Sequence, residues 1–399
     1  MSADRRTALA FCLVLVLGLA GLMTWQALIP ILLPVWRLSA VEAGWLSGSA
    51  HLAYALVAPF VVAATDRVDA RRVVIAGLVG STMAGVGLAT FAAGFWSALL
   101  WKIVGGVATA ATYMPGLKAL TDRLHGPEPG RLQALYTAAY SLGTALSLLA
   151  AGIVAERAGW RAAFLLSGLL PAIGLLVLLA TSRRLEPAPL ATARLATFDP
   201  RPVLRDRPAL GYILGYAGHC YELFGFRTWL VALLTFAAAR HGDALSASSL
   251  AMVATAALLL GLPASLAGNE LAQRLGRRHA LLLLMPASAL LALAVGLATA
   301  LPFWPLTLLV ALYAALMMTD SAALTVGLIG VTPAARRGLS IGVQQLAGTS
   351  AAFAAPVVAG LCLDLLGADR PAGWAAAITS LGLGPLLGAL ALRLLVPRR

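Results

Sequence analysis

The side chains in this sequence that could move a proton or hold a charge are few, and they sit in apolar surroundings. The stretch GHCYELFGFRTW at 218–229 places His219, Glu222 and Arg227 inside a long hydrophobic run. At ~100° per residue a helix sets the three on an arc of roughly 140°. One broad face then carries an imidazole, a carboxylate and a guanidinium. In the functional reading Arg227 attracts an anionic group while His219 and Glu222 exchange a proton. In the structural reading they form an internally neutralised set that holds the helix against a neighbour. Charges inside hydrocarbon cost a few kcal/mol even on a lenient scale, and they face a bundle interior or an aqueous cavity.

Other isolated polar groups extend this set. His51 shares a helix face with Tyr54 by i,i+3 spacing, and Asp320 shares one with Tyr313 and Met317. A buried acid such as Asp320 is able to titrate near neutrality, or it serves as a permanently paired structural acid. Lys102, four residues before Gly106, is a further cation, with snorkelling to the helix end as its ordinary role. Gln26, Tyr113, Tyr140, Gln344 and Gln345 are polar enough to line a pathway and equally suited to hydrogen bonds between helices. No cofactor or metal site is indicated: there is no HExxH, no GxSxG, no phosphate-binding Gly-rich loop and no His/Cys cluster with metal spacing.

The elements that position these groups follow from composition. The 399 residues are 60% hydrophobic and 11% charged, with mean hydropathy +0.89. A water-soluble domain cannot hide that much apolar surface, so the class is an all-α membrane protein. Apolar runs near 8–34, 44–65, 72–93, 96–119, 131–155, 160–181, 209–237, 246–267, 279–300, 303–328, 338–364 and 373–396 predict twelve transmembrane helices, each near the ~20 residues a bilayer needs. The Pro- and Arg-rich interval 182–207 divides the chain into an N-terminal six-helix bundle, 1–181, and a C-terminal one, 208–399, joined by a cytoplasmic central loop. The N-terminal Arg5-Arg6 and the run behind it read as a first span that stays rather than a cleaved signal. Cys12, Cys220 and Cys362 fall in apolar runs and read as packing residues.

The net charge of +13 does not point to nucleic acid, because the arginines are dispersed over short turns and form no basic face. They set sidedness instead. Arg67, Arg71, Arg72, Lys118, Arg123, Arg131, Arg183, Arg184, Arg274, Arg277, Arg278, Arg336, Arg337 and Arg393 fall on one side of the predicted spans, against Arg37, Arg157, Arg161, Arg240 and Arg370 on the other. By the positive-inside rule both termini are then cytoplasmic.

Two of those basic turns carry a resemblance. GNELAQRLGRR at 268–278 and ATDRVDARR at 64–72 lie about half a chain apart. They resemble the signature G-x-L-A-D-R-x-G-R-R of the major facilitator superfamily of secondary transporters, found after its second and eighth helices. The second copy keeps Arg274, Gly276, Arg277 and Arg278 and has Gln273 in place of the acid. The first keeps Asp66 and Arg67 and has Asp69 in place of the glycine. GWRAAF at 159–164 matches the usual opening of the sixth helix, whereas the Gly-Pro pair of the antiporter signature is missing from helix five. Paired echoes, among them Ala151-Gly152 with Glu156 and Ala359-Gly360 with Asp364, follow one order at nearly one offset, as a duplication would leave them.

The resemblance implies two pseudo-symmetric six-helix bundles related by an axis along the membrane normal, with a solute site between them near the midplane. It also implies that Asp66, Arg67, Arg71, Arg72, Gln273, Arg274, Gly276, Arg277 and Arg278 act as a conformational latch, or as topological anchors. The function expected is secondary active transport of a small solute across the cytoplasmic membrane by alternating access, driven by a solute or proton gradient, with an anionic metabolite as the preferred cargo. The alternatives are a proton-coupled exporter of amphipathic compounds and a non-transporting sensor. A monomer in the lipid bilayer is expected.

Overall fold

A computed structural model describes residues 3–124, 129–182 and 199–397. Each of the twelve predicted apolar intervals is mainly helical. In chain order the elements are α1 (Ala3–Gly18), α2 (Thr24–Trp36), α3 (Ala40–Ala64), α4 (Ala70–Thr90), α5 (Phe95–Ala110), α6 (Tyr113–Thr121), α7 (Pro129–Ser182), α8 (Arg201–Leu204), α9 (Arg207–His241), α10 (Ala247–Leu259), α11 (Gly261–Leu275), α12 (Arg277–Leu297), α13 (Phe303–Leu316), α14 (Ser321–Val331), α15 (Arg337–Leu366), α16 (Pro371–Leu381) and α17 (Leu383–Leu395). Most of the predicted central loop, including Arg183 and Arg184, lies outside the described residues. Among those described, ten helical stretches are long and apolar enough to cross a membrane, the 52-residue stretch Gly130–Thr181 counting once.

That stretch holds two predicted helices, divided at Gly159 by φ +83°. A Cβ would be strained there, so glycine makes the bend. Other predicted spans are interrupted: α1 from α2 at 19–23, α5 from α6 at 111–112, and α13 from α14 at 317–320. Non-helical backbone at membrane depth is tolerated where protein or a cavity covers it, and the last of these breaks places Asp320 at the start of α14.

The chain forms two compact units whose membership departs from a simple halving. One comprises Met1–Leu32, Ala53–Ala196 and Ala247–Met252, the other Leu33–Leu52, Thr197–Ser246 and Val253–Arg399. The first unit is built on α1, α4 and α5 against α7 and α4, with a core of Phe11, Leu15, Val74, Leu78, Tyr136 and Leu178. The second is built on α9, which packs against α14, α15 and α17, over a core of Tyr212, Ile213, Leu281, Met285, Leu324 and Leu392. In each, bulky apolar side chains close the interior while many leucines remain exposed, as lipid contact requires.

Candidate functional site

In the second unit α9 presents His219 and Glu222 to the unit's interior, and both are fully buried. His219 Nδ1 lies 2.7 Å from Oδ1 of Asp320, which the break between α13 and α14 brings to α9. The contact is close but off the axis of a hydrogen bond, and it is an ion pair when the imidazole is protonated. Glu222 Oε1 accepts a hydrogen bond from Ser288 Oγ of α12 at 2.8 Å, and Tyr313 of α13 is buried beside it. Among the described residues no Arg or Lys forms an ion pair with Glu222 or Asp320, and Glu222 Oε2 and Asp320 Oδ2 have no hydrogen-bond partner. Two carboxylates thus share a buried interior with one imidazole.

The remaining predicted residues divide between the units. Tyr216 is 6.0 Å from the His219 ring and accepts a hydrogen bond from Gln345 Nε2 at 3.4 Å. Gln344 is fully buried with neither amide atom hydrogen-bonded. The Arg227 guanidinium lies over Phe224 at 5.8 Å, and His51 meets the same ring at 4.4 Å, so Phe224 joins α3 to α9. His51 and Tyr54 lie three residues apart on α3, and they are grouped with different units.

In the first unit Tyr54, Tyr113 and Tyr140 gather from α3, α6 and α7, with Tyr113 and Tyr140 centroids 4.7 Å apart. Lys102 is buried rather than snorkelling. Its Nζ sits 5.9 Å from the Trp25 ring, and no carboxylate is within ion-pair distance among the described residues. Neighbouring Gln26 is buried with Oε1 unbonded. Among the described residues no three His, Cys, Asp or Glu side chains converge as a metal site.

Two carboxylates that the sequence flagged only as a repeat echo have matching tasks. Asp364, at the end of α15, accepts from the backbone N–H groups of Ala40 and Val41 at 2.8 and 2.9 Å, capping α3. Glu156, in the corresponding place on α7, accepts from Ser248 N at 2.7 Å and caps α10. Each caps a helix from the other half of the sequence. Such caps satisfy orphan donors and oppose the helix dipole. Beside them the backbones touch: a Cβ on Gly360 would strike the Ala40 carbonyl, and one on Gly152 would strike Ala251. Ser47 and Thr228 hydroxyls add a 2.8 Å hydrogen bond between α3 and α9.

The two signature turns are not equivalent. Asp66 and Arg67 are exposed and form no ion pair among the described residues. Asp69 caps α4 through Arg71 N at 2.9 Å, binds Arg71 Nη2 at 2.7 Å and binds Arg123 Nη2 at 2.8 Å. Burial works to raise its pKa, but the hydrogen bonds from Arg71 and the charges of Arg123 and Arg71 outweigh that and hold it well below the usual carboxylate range. Arg72 is exposed and contributes its backbone N–H to the Asp69 carbonyl. In the second turn Gln273 and Arg274 are exposed, Arg274 pairing with Glu270 at 2.9 Å. Gly276 adopts φ +82°, and Arg278 donates to the carbonyls of Val396 and Arg393 at 2.8 and 3.1 Å.

With this geometry in place, comparison with known proteins decides the family. The family model described as Major Facilitator Superfamily matches residues 10–243, more than half of the chain. The chain belongs to the major facilitator superfamily. No curated protein sequence matches it. Among solved structures it is similar to a bacterial homolog of the human lysosomal transporter Spinster, at 15% identity and TM-score 0.79, over 99% of this chain and 97% of that one. It is similar also to the nucleoside transporter NupG, at 13% identity and TM-score 0.78, with both chains covered completely. At such identities the likeness concerns the fold, and it agrees with an all-helical protein of ten to twelve spans. The protein is therefore a multi-pass membrane transporter of this superfamily and not an enzyme.

Proposed function

We propose that this secondary transporter moves a small anionic metabolite across the cytoplasmic membrane by alternating access and couples that movement to a proton. The observation that carries the reading is the buried group His219, Glu222 and Asp320. Only one of its two carboxylates has a cationic partner at hand, so the second is accommodated most cheaply when it holds a proton. Binding and release of that proton changes the charge of the unit's interior by one, which is what coupling to a gradient requires. Lys102, buried without an acid, and Arg227 favour an anion as the carried species. The paired caps at Glu156 and Asp364 favour alternating access, since each holds together helices from different halves of the chain. Both termini on the cytoplasmic side, and function as a monomer, complete the reading.

The test is transport in proteoliposomes under an imposed pH gradient, with substrates chosen by a thermal-shift screen of metabolites and drugs, because a binder raises stability by mass action. Gradient-driven uptake that is lost in Glu222→Gln while counterflow persists is expected. Hits confined to amphipathic cations, or anion binding unaltered in Arg227→Ala and Lys102→Ala, would favour the drug-export alternative.

A further inference from the structure

A groove of about 980 Å³ lies in the second unit, away from His219 and Glu222, at the upper end of the roughly 300–1,000 Å³ typical of ligand sites. It is walled by the start of α9, by α12, α14 and α17. One end carries Arg277, Arg278, His279 and Arg393, and no carboxylate lines it among the described residues. The floor continues along Leu283, Leu386 and Leu390, each about half exposed at 52, 47 and 50%.

Three features say what fits there. First, Arg278 is tied to the carbonyls of Arg393 and Val396, which fixes one cation of the positive end against the end of α17. Second, Arg277 Nε is shielded from solvent and has no hydrogen-bond partner, a donor awaiting an acceptor. Third, the groove leads from a helix-end cluster of cations directly onto leucines of the kind that face hydrocarbon. A soluble anion would use the cations and leave the leucines unused, whereas a neutral lipid would do the reverse.

We propose that this groove binds an anionic phospholipid, with its phosphate held between Arg277 and Arg393 and its acyl chains laid along Leu283, Leu386 and Leu390. A planar guanidinium pairs with phosphate bidentately, and basic pockets between transmembrane helices suit such headgroups. The lipid would bridge α12 to α17 beside the Gly276 turn, and so bear on how readily that turn moves.

The test uses the purified full chain in an uncharged detergent, titrated with phosphatidylglycerol, phosphatidylcholine or inorganic phosphate. Bound lipid is counted by native mass spectrometry, and the thermal midpoint is followed in parallel. Phosphatidylglycerol should bind at least about tenfold more tightly than phosphatidylcholine. Each of Arg277→Gln and Arg393→Gln should weaken it about fivefold, and Arg336→Gln, a basic site elsewhere, should leave it unchanged. Should the glutamine variants fail to fold, raising salt from about 0.05 to about 0.5 M should weaken phosphatidylglycerol binding to the unaltered protein. Equal binding of the two lipids, wild-type affinity in the variant that carries both Arg277→Gln and Arg393→Gln, no response to salt, or a thermal shift reproduced in full by inorganic phosphate would each overturn the proposal.

Discussion

The two signature turns, ATDRVDARR at 64–72 and the segment from Gln273 to Arg278, descend from one pattern and solve the same problem differently. In the first, Asp69 stands where the pattern has glycine, takes φ −49°, and becomes both helix cap and charge centre for Arg71 and Arg123. In the second, Gly276 keeps the left-handed backbone at φ +82°, no acid is present, and Arg278 reaches backbone carbonyls at the end of α17. One turn is held by largely buried ion pairs around one carboxylate, the other by a permissive residue, neutral acceptors and a single exposed Arg274–Glu270 pair. The departure from the family pattern has therefore added a second acid three residues after Asp66, and it is this added acid that collects the arginines.

This contrast can be broken most severely at Asp69. Replacing it with alanine removes the carboxylate that faces Arg123, whose side chain is only 5% exposed, and should lower stability by about 3 kcal/mol, read as a drop in the thermal midpoint in micelles. Arg123→Ala should behave similarly, and the two together should be far from additive.

Acidification gives the next largest effect. Because the folded pKa of Asp69 lies below its unfolded value, its contribution is complete above that unfolded value, near 3.8, and is lost as pH falls through it towards the folded one. Wild type should thus lose stability on acidification relative to Asp69→Asn. Parallel curves for the two proteins would mean that the carboxylate is not held as the geometry indicates.

At the second turn Arg278→Ala removes two charge-assisted bonds to carbonyls and should cost about 1.5 kcal/mol, without the acid-sensitive component. Gly276→Ala should cost about 1 kcal/mol through its positive φ, measured in the same assay. The smallest effect is expected for Gln273→Asp, which restores the pattern's acid at an exposed position and should change stability by well under 1 kcal/mol. A large stabilisation there would show that the second turn lacks a latch it could readily use.

Much of the architecture was legible because hydrocarbon imposes it. Runs such as 209–237 and 338–364 can only be helices when every backbone donor must be satisfied within the segment, and Gly159 was expected to fall at a boundary because two apolar runs meet there. The chemistry was legible residue by residue: His219, Glu222, Asp320 and Lys102 stand out against leucine and alanine. Their partners did not. Nothing local marks Ser288 as the donor to Glu222, or Trp25 as the neighbour of Lys102. Glu156 and Asp364 were visible as a repeated pair, but the helix starts they cap lie far off in the chain.

The amino-acid order by itself determined that the elements are apolar helices and picked out the small set of ionisable groups that hydrocarbon would not admit without purpose, because these depend on segment length and on transfer from water. Only the tertiary structure decided which groups meet: that Asp320 goes to His219, that Asp69 rather than Asp66 collects the arginines, and that half of α3 is counted with the second unit. Those choices rest on how helices cross and break, and pairing energies between residues far apart in the chain leave no periodic trace in it.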